Sequence, residues 1–257
     1  MPYLDLNSIR LYYEEQGNGV PLILLHGAFG SLDQPDTGWN LLLPTLAEKY
    51  HCLSIEHRGH GRTTNPGGEI SYALMADDLH QFIKKLQSGP AHLAGVSDGA
   101  IITLQFSMTH PELVRSLSCV GANYFNDERC KQANNWLVDR QRVERDHPEW
   151  IEELARIHDR NKYPGYWQDL YSQIAANIAV NPSYTIEDLQ KISAPTLLMA
   201  GENDRWGNPD QMLGMRRGIP HSEMLIINHA GHLIQHTHPQ IVGPVLLDFL
   251  ERVSEAV

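Results

Sequence analysis

Residues 93–100 have the sequence LAGVSDGA, which predicts a strand, a sharp turn and a helix in immediate succession. The small apolar residues 93–96 are typical of a strand buried inside a sheet. Apolar residues then recur at helical spacing from Ala100 to Met108, and Pro111 ends the run. The turn between the two runs carries a G-x-S-x-G pattern.

A serine in such a turn has an unusual environment. The backbone bends sharply at the carboxyl edge of the sheet, so the hydroxyl of Ser97 points into open space. Gly95 and Gly99 supply the near-absent side chains that this bend needs. The following helix directs its positive end to the same place. The alternative is a glycine-punctuated turn with an incidental serine, and residues further along the chain decide between the two.

The composition is that of an ordinary globular protein. Its 257 residues are enough for one sizeable core, and 42% of them are apolar. The net charge of −11 argues against nucleic acid and anionic membrane as partners. The cysteines Cys52, Cys119 and Cys130 form no C-x-x-C pair, which indicates reduced thiols in a cytoplasmic protein. We expect neither a signal peptide nor a membrane-spanning segment.

Apolar and amphipathic runs alternate along most of the chain, which predicts an α/β fold with a mostly parallel central sheet and helices on both faces. An opening hairpin is expected to pair residues 3–6 with residues 9–14. Further strands are expected at residues 21–25, 52–55, 93–96, 114–120, 194–201 and 224–227. Helices are expected at residues 39–49, 70–86, 100–108, 209–217 and 239–257. Ligands of such sheets bind at the carboxyl ends of the strands.

Residues 123–184 interrupt this alternation. They carry dense mixed charge and nine of the 20 aromatic residues, and no strand-like run occurs among them. We interpret this segment as a helical insertion, which leaves residues 1–122 and 185–257 as the α/β core domain. The charged run from Asp139 to Asp159 mixes signs and is typical of a solvated helix face.

Two side chains beyond the insertion can activate Ser97. A serine hydroxyl is a weak nucleophile that needs a base, and the base needs an orienting carboxylate. In this architecture the order along the chain is Ser, acid, His. Asp204 follows the strand after the insertion and His232 follows the last strand, so we assign them as orienting acid and base. Glu202 and His229 are the alternatives for these two roles.

The chain resembles the α/β-hydrolase fold family over nearly all of its length. The resemblance rests on four matches, which are HGAFG at 26–30, RGHG at 58–61, GVSDG at 95–99, and Asp204 with the GH pair at 231–232. The SDG turn is similar to that of valacyclovir-hydrolase-like esterases. The length and the short helical insertion are similar to those of 3-oxoadipate enol-lactonases.

The resemblance implies roles for further residues. The backbone N–H groups of Ala28 and Asp98 would form the oxyanion hole. The insertion would be a cap over the active site, and most of its aromatic residues would hold the cap helices together. The candidates for lining the pocket are Phe29, Trp136, Tyr163 and Trp167. The family usually places a proline sooner after the acid than Pro209 stands here, so the loop at residues 205–208 is longer.

A metal site is an alternative use for the 14 histidines. His57-x-x-His60 and His229-x-x-His232 are spaced like ligand pairs, but the sequence contains no H-E-x-x-H motif and no Cys–His finger spacing. The resemblance gives the turn that holds the first pair a structural role. We therefore expect neither a metal nor a cofactor.

The expected function is hydrolysis of small carboxylic esters or lactones by a serine hydrolase, through an acyl-enzyme intermediate. A carbon–carbon bond hydrolase with the same residues and a receptor-like ligand-binding protein of the same fold are the alternatives. Epoxide hydrolases and haloalkane dehalogenases are disfavoured because they need Asp where Ser97 stands. The expected partner is a small-molecule substrate, and the sequence leaves open whether the protein is a monomer or a homodimer.

Overall fold

An eight-stranded sheet runs through the computed structural model, which describes residues 3–6, 8–34 and 38–255. The strands are β1 (Tyr3–Asp5), β2 (Arg10–Gln16), β3 (Val20–Leu25), β4 (Tyr50–Ile55), β5 (Ala91–Val96), β6 (Val114–Val120), β7 (Thr196–Gly201) and β8 (Ser222–Ile227). Their order across the sheet is β1-β2-β4-β3-β5-β6-β7-β8. The first two strands pair antiparallel with each other, β2 also pairs antiparallel with β4, and all other pairs are parallel. The mostly parallel sheet and the opening hairpin predicted from sequence are confirmed.

The helices lie between the strands. They are α1 (Leu43–Leu46), α2 (Tyr72–Leu86), α3 (Asp98–Thr109), α4 (Glu128–Val138), α5 (Arg140–Asp146), α6 (Pro148–His158), α7 (Tyr166–Val180), α8 (Ile186–Leu189), α9 (Pro209–Gly218), α10 (Ile234–Thr237) and α11 (Pro239–Glu255). Across the part of the chain that the structure describes, no helix is both long and apolar enough to cross a membrane.

One predicted helix is largely absent. Residues 39–49 were expected to be helical throughout, but only α1 forms there. Pro44 lies in the first turn of α1, and a proline is tolerated in a first turn but not further inside a helix. The helix therefore cannot begin much earlier than Leu43. The predicted end of the closing helix at residues 256–257 lies outside the described residues, as do residues 1, 2, 7 and 35–37 of the predicted core domain.

The sheet is covered on both faces, because its apolar side chains alternate between two buried clusters. In β3, Ile23 and Leu25 join the cluster under α2 and α3, whereas Leu22 and Leu24 join the cluster under α1 and α11. All six residues of β5 are buried. A strand in this position needs mostly apolar side chains on both faces, and its one polar side chain, His92, bonds through Nδ1 to Ser116 Oγ of β6 at 2.8 Å.

The segment at residues 123–184, interpreted from the sequence as a helical insertion, contains the helices α4 to α7, and α8 follows it before β7. Its two ends meet where the N–H of Tyr184 donates to the carbonyl of Tyr124 at 2.8 Å. Apolar side chains of the insertion pack in the same buried cluster as those of the core. In addition, the loop after α6 makes polar contacts with the core. The ammonium of Lys162 donates to the carbonyls of Gly59 and Gly61 at 3.0 and 2.7 Å.

The first turn of α3 crosses the end of β3 with almost no space between the backbones. A Cβ on Gly99 would lie 2.5 Å from the carbonyl oxygen of His26 and 2.7 Å from that of Leu25. We expect Gly99→Ala to destabilise the protein by about 3 kcal/mol, since neither main-chain atom can move aside. This loss corresponds to a fall in Tm of about 6–12 °C in a chain of this size.

Gly67→Ala is the matched control for this thermal unfolding measurement. Gly67 lies in an exposed turn, and a Cβ there would meet no atom within 4 Å. We expect its Tm to stay within about 2 °C of the unsubstituted protein, in line with other exposed substitutions. Equal shifts for the two variants would contradict the close approach of α3 to β3.

Candidate active site

Ser97 connects β5 to α3 with a strained backbone. Its φ of 52° and ψ of −120° lie in a region that residues with a side chain rarely adopt. Its N–H donates to the carbonyl of Val120 at 2.8 Å, which fixes the bend to the neighbouring strand β6. A Cβ on Gly95 would lie 2.4 Å from the backbone of Gly99 and Ala100. The two glycines of the pattern are therefore required by close backbone contacts on both sides of the serine.

Asp204 and His232 form a hydrogen-bonded pair at the ends of β7 and β8. The Nδ1 of His232 lies 2.8 Å from the Oδ2 of Asp204. The other oxygen, Oδ1, accepts from the N–H groups of Trp206 at 2.8 Å and Gly207 at 3.1 Å. The carboxylate is buried and its position is fixed by these three donors. It orients the imidazole so that the other nitrogen, Nε2, can act on a substrate.

The alternative acid and base lie outside this arrangement. The carboxylate of Glu202 accepts from the N–H of His229 at 2.9 Å, and the His229 ring is 95% exposed. The pair is therefore in contact with solvent, and neither residue lines the cavity that contains Ser97. Of the two candidate sets, only Asp204 and His232 bring an imidazole to a cavity that also contains the serine.

The longer loop after Asp204 is held by the insertion. The ring of Trp206 packs on His232 with 4.9 Å between the centroids, and its Nε1 donates to Asn134 Oδ1 on α4 at 2.9 Å. Asn208, at the N-terminus of α9, donates to Asp127 at the N-terminus of α4 at 2.9 Å. The extra residues thus connect the carboxylate to the insertion and leave the Asp204–His232 distance short.

Ser97 and His232 open into one cavity of about 310 Å³ between the carboxyl ends of the strands and the insertion. This volume suits a small organic molecule. The lining residues are Gly27, Ala28, Phe29, Tyr72, Ser97, Asp98, Ile101, Asn123, Asn126, Asn134, Trp136, Leu137, His147, Trp150, Ile178, Asn181, Trp206, His232 and Leu233. Ala28 and Asp98, the predicted oxyanion-hole residues, thus line the same cavity as the serine.

Two of the four predicted pocket residues line the cavity. Phe29 also packs against Trp150 and Tyr171 of the insertion, with ring centroids 5.4 and 4.9 Å apart. Its φ of 56° turns the loop sharply after Ala28. Trp136 lies on α4 and packs edge-on against His147.

The other two lie elsewhere, so their prediction as pocket residues is wrong. Tyr163 is 55% exposed and lies in the loop before α7. Its hydroxyl donates to Asp169 in the first turn of that helix. Trp167 is buried, but it packs against Tyr171 inside the insertion, 6.4 Å between centroids. Both side chains stabilise the insertion itself rather than wall the cavity.

Several lining residues were missed by the sequence analysis. Tyr72, in the first turn of α2, donates from its hydroxyl to Asp98 Oδ1 at 3.0 Å. Asn134 bridges Trp206 and the carbonyl of Ile178, which it contacts at 2.9 Å. The further asparagines of the lining are Asn123, Asn126 and Asn181. Nothing in their spacing signals a site, since they come from separate loops and helices.

Two titratable groups in the cavity influence each other. Burial alone lowers the pKa of His232, but the charge and hydrogen bond of Asp204, with a further contribution from Asp98, raise this pKa above the ordinary 6.5. Burial raises the pKa of Asp98 to about 6, against the lowering effects of the Tyr72 hydroxyl and of His232. The imidazole is thus poised to accept a proton near neutral pH.

Four buried histidines lie beneath the loop that contains Ala28. The ring nitrogens of His26, His57, His60 and His158 bond to main-chain groups. Burial lowers the pKa of each, that of His158 to about 3. We interpret their role as structural, which is the role that the resemblance to the family implied for the turn with His57 and His60. Within residues 3–6, 8–34 and 38–255, no group of three His, Cys, Asp or Glu side chains is placed to hold a metal ion.

Comparison with known proteins identifies the family. The chain belongs to the alpha/beta hydrolase family, whose model matches residues 22–243. It is 24% identical to the (E)-2-((N-methylformamido)methylene)succinate hydrolase of Acinetobacter baylyi, over 95% of both chains. It is 26% identical to a putative carbamate hydrolase, RutD, of Azorhizobium caulinodans, over 99% of this chain and all of the relative.

A solved structure gives the same result. A thermophilic esterase from Thermogutta terrifontis superposes with a TM-score of 0.73 at 25% identity, over 95% of this chain and 94% of the esterase. The chain is therefore a member of the alpha/beta hydrolase family, and the two relatives named above are hydrolases that differ in substrate.

Substitution of the two candidate histidines is expected to have different effects on kcat. We expect His232→Ala to lower kcat by about 10⁴, because the base is lost, whereas the exposed His229→Ala should change it less than about threefold. The comparison uses initial rates of aryl ester hydrolysis. A reversed order of the two variants would refute His232 as the base.

The pH profile tests the state of the same group. A base must be neutral to accept a proton, and the pKa of His232 is raised above 6.5, so with His232 as the base we expect activity to fall as the pH drops through a midpoint above 6.5. At that midpoint Asp98 is mostly ionised, since its pKa is about 6. Asp98→Asn should therefore move the midpoint downward, with kcat kept within about tenfold because no proton-transfer group is lost. A kcat loss of about 10⁴ in this variant would instead give Asp98 a direct part in the chemistry.

Proposed function

We propose that this alpha/beta hydrolase is a cofactor-free serine hydrolase of small carboxylic esters or lactones. The observation that carries the proposal is the arrangement of the cavity, in which a strained, glycine-flanked Ser97 shares its space with an imidazole that is oriented by a buried carboxylate. An activated nucleophile requires this combination of side chains, and a binding protein does not.

The proposed mechanism has two halves. Ser97 attacks the carbonyl carbon of the ester while Nε2 of His232 takes the hydroxyl proton, and the backbone N–H groups of Ala28 and Asp98 stabilise the oxyanion. The C–O bond then breaks, and His232 gives the proton to the departing alcohol. In the second half, His232 takes a proton from water as the water oxygen attacks the acyl carbon, the bond from that carbon to Ser97 Oγ breaks, His232 returns the proton to Oγ, and the carboxylic acid leaves. Asp204 stabilises the imidazolium in both halves.

The cavity supports a small and uncharged acyl group. Its volume of about 310 Å³ is at the lower end for ligand sites, and aromatic and aliphatic side chains such as Phe29, Ile101 and Trp150 surround the serine. By its resemblance to other members of the family, the insertion acts as a cap that excludes water from the cavity. A carbon–carbon bond hydrolase would use the same three residues, so substrate screening has to include a 1,3-diketone beside esters and lactones.

The cellular setting of the proposal is the cytoplasm, with a small molecule as partner. The three cysteines support this setting because all are free and buried, and thiols of this kind persist in reducing compartments. Burial raises the pKa of Cys119 to about 12, so that thiol is inert.

Ser97→Ala is the decisive variant. We expect it to lower the hydrolysis rate of 4-nitrophenyl acetate by about 10⁴ or more, with an unchanged Tm within about 2 °C. Ser172→Ala is the control, because Ser172 lies exposed on α7 outside the cavity. An organophosphonate should label Ser97 alone, as read by peptide mass mapping. Activity above a tenth of the unsubstituted rate in Ser97→Ala, or a label on another serine, would refute the mechanism.

A further inference from the structure

A second cavity of about 530 Å³ adjoins the one that contains Ser97. Four residues line both: Trp136, His147, Trp206 and His232. The second cavity lies on the outer side of these residues, because Arg142, Asn203, Arg205 and Gly231 of its lining are exposed. We call it the outer cavity, and the cavity with Ser97 the inner one.

The two cavities differ in charge. The outer cavity contains two guanidinium groups, from Arg142 on α5 and Arg205 in the loop after Asp204. The inner cavity is lined by no Lys or Arg among the described residues and contains the carboxyl of Asp98. An anionic group is therefore favoured at the outer position and disfavoured at the inner one. The contrast is local, since the chain as a whole carries a net charge of −11.

Both arginines have capacity for a ligand. Arg205 makes no ion pair and no side-chain hydrogen bond with any residue that the structure describes. Arg142 approaches Asp146 one turn along the same helix, with 3.5 Å between Nε and Oδ2, and is 53% exposed. An exposed ion pair between residues four apart on a helix contributes only about 0.3–0.5 kcal/mol to stability. It therefore does not prevent the guanidinium of Arg142 from binding the carboxylate of a ligand.

The position of His232 decides which part of a substrate reaches the outer cavity. In the proposed mechanism His232 delivers the serine proton to the leaving oxygen, so the leaving group lies on the imidazole side of the reacting carbon. His232 lines the outer cavity, whereas Ser97 and Asp98 line only the inner one. The acyl group therefore occupies the inner cavity, and the departing alcohol extends past His232 and Trp206 toward the arginines.

We propose that the outer cavity is a leaving-group subsite for a carboxylate, so that the preferred substrates are esters in which a small neutral acyl group is joined to a hydroxy acid. This inference rests on the proposed function and deepens it. Hydrolysis breaks the ester C–O bond and consumes one water. It releases the hydroxy acid and a small carboxylic acid whose acyl chain carries no further charged group. The guanidinium groups of Arg142 and Arg205 bind the carboxylate of the hydroxy acid throughout.

Matched substrates test this subsite. 4-Acetoxybenzoate and 4-acetoxybenzamide carry the same acetyl group and differ in the charge of the leaving phenol. We expect the ratio of their kcat/KM values, anionic over neutral, to fall about fivefold in Arg142→Gln or Arg205→Gln and about tenfold or more in the double variant, through a higher KM for the anion. The ratio of the unsubstituted protein should also fall in 0.5 M NaCl, since these charges are exposed.

Arg145→Gln is the control for loss of charge. Arg145 lies on the same helix and is exposed, but it does not line the outer cavity. We expect its substrate ratio to stay within twofold of the unsubstituted value. Ratios that are equal in all of these variants would overturn the subsite. So would a preference for the monophenyl ester of succinic acid over phenyl acetate, since that charge is on the acyl side.

A binding measurement separates failure of the subsite from failure of the proposed reaction. Titration calorimetry on Ser97→Ala protein, which needs no turnover, compares 4-hydroxybenzoate with 4-hydroxybenzamide. We expect the carboxylate to bind at least about fivefold more tightly, and the difference to vanish when Arg142→Gln and Arg205→Gln are added. Equal affinities would reject the subsite even if ester hydrolysis holds. A preserved difference in a protein without esterase activity would reject only the proposed reaction.

Discussion

The close crossing of the Ser97 turn with the neighbouring strands is the constraint on which the site depends. The residue with φ of 52° lies between two close backbone contacts, since α3 leaves no room for a Cβ at Gly95 and the end of β3 leaves none at Gly99. The contact partners of Gly99 are the carbonyls of Leu25 and His26, which immediately precede the loop of Ala28. One crossing therefore sets both the direction of the serine hydroxyl and its distance from that loop. The strain is sustained by the buried strands around it.

The insertion is part of this construction and not merely a cover over it. His158, the last residue of α6, accepts from the N–H of Gly61 at Nδ1 and donates from Nε2 to the carbonyl of Phe29. These two partners require the neutral ring with its proton on Nε2, and burial lowers the pKa of His158 to about 3. The link therefore persists across the neutral range. It connects the position of α6 to the loop beside Ser97, as Asn134 and Trp206 connect α4 to the loop of Asp204.

The sequence predicted the core well because its signals are local. Continuous apolar runs are forced on strands that are buried on both faces, so the parallel strands were found with small errors at their ends. The prediction of a helix over residues 39–49 was wrong at its start, because Pro44 allows a helix to begin only just before it, whatever the spacing of the apolar residues. Trp136 and Tyr163 had equal claims as pocket residues, yet only Trp136 lines the cavity. Which aromatic side chain faces the cavity depends on how the insertion helices dock on the core, and no local pattern contains that information.

The buried carboxylates show why Asp98 differs from its neighbours. Asp78 accepts two hydrogen bonds of 2.6 Å from Arg58, and Asp204 accepts three donors. Asp98 is also buried, but its described side-chain partner is the neutral hydroxyl of Tyr72. A buried charge without a cationic partner is costly, and the cost is expressed in a pKa of about 6. Asp98 and His232 stabilise each other's charged forms, so in the proposed mechanism the imidazolium is stabilised by Asp98 as well as by Asp204. Costly burial of a carboxylate is characteristic of reacting sites, and the position of Asp98 in the first turn of α3 places its charge at the end of the helix that favours a negative charge.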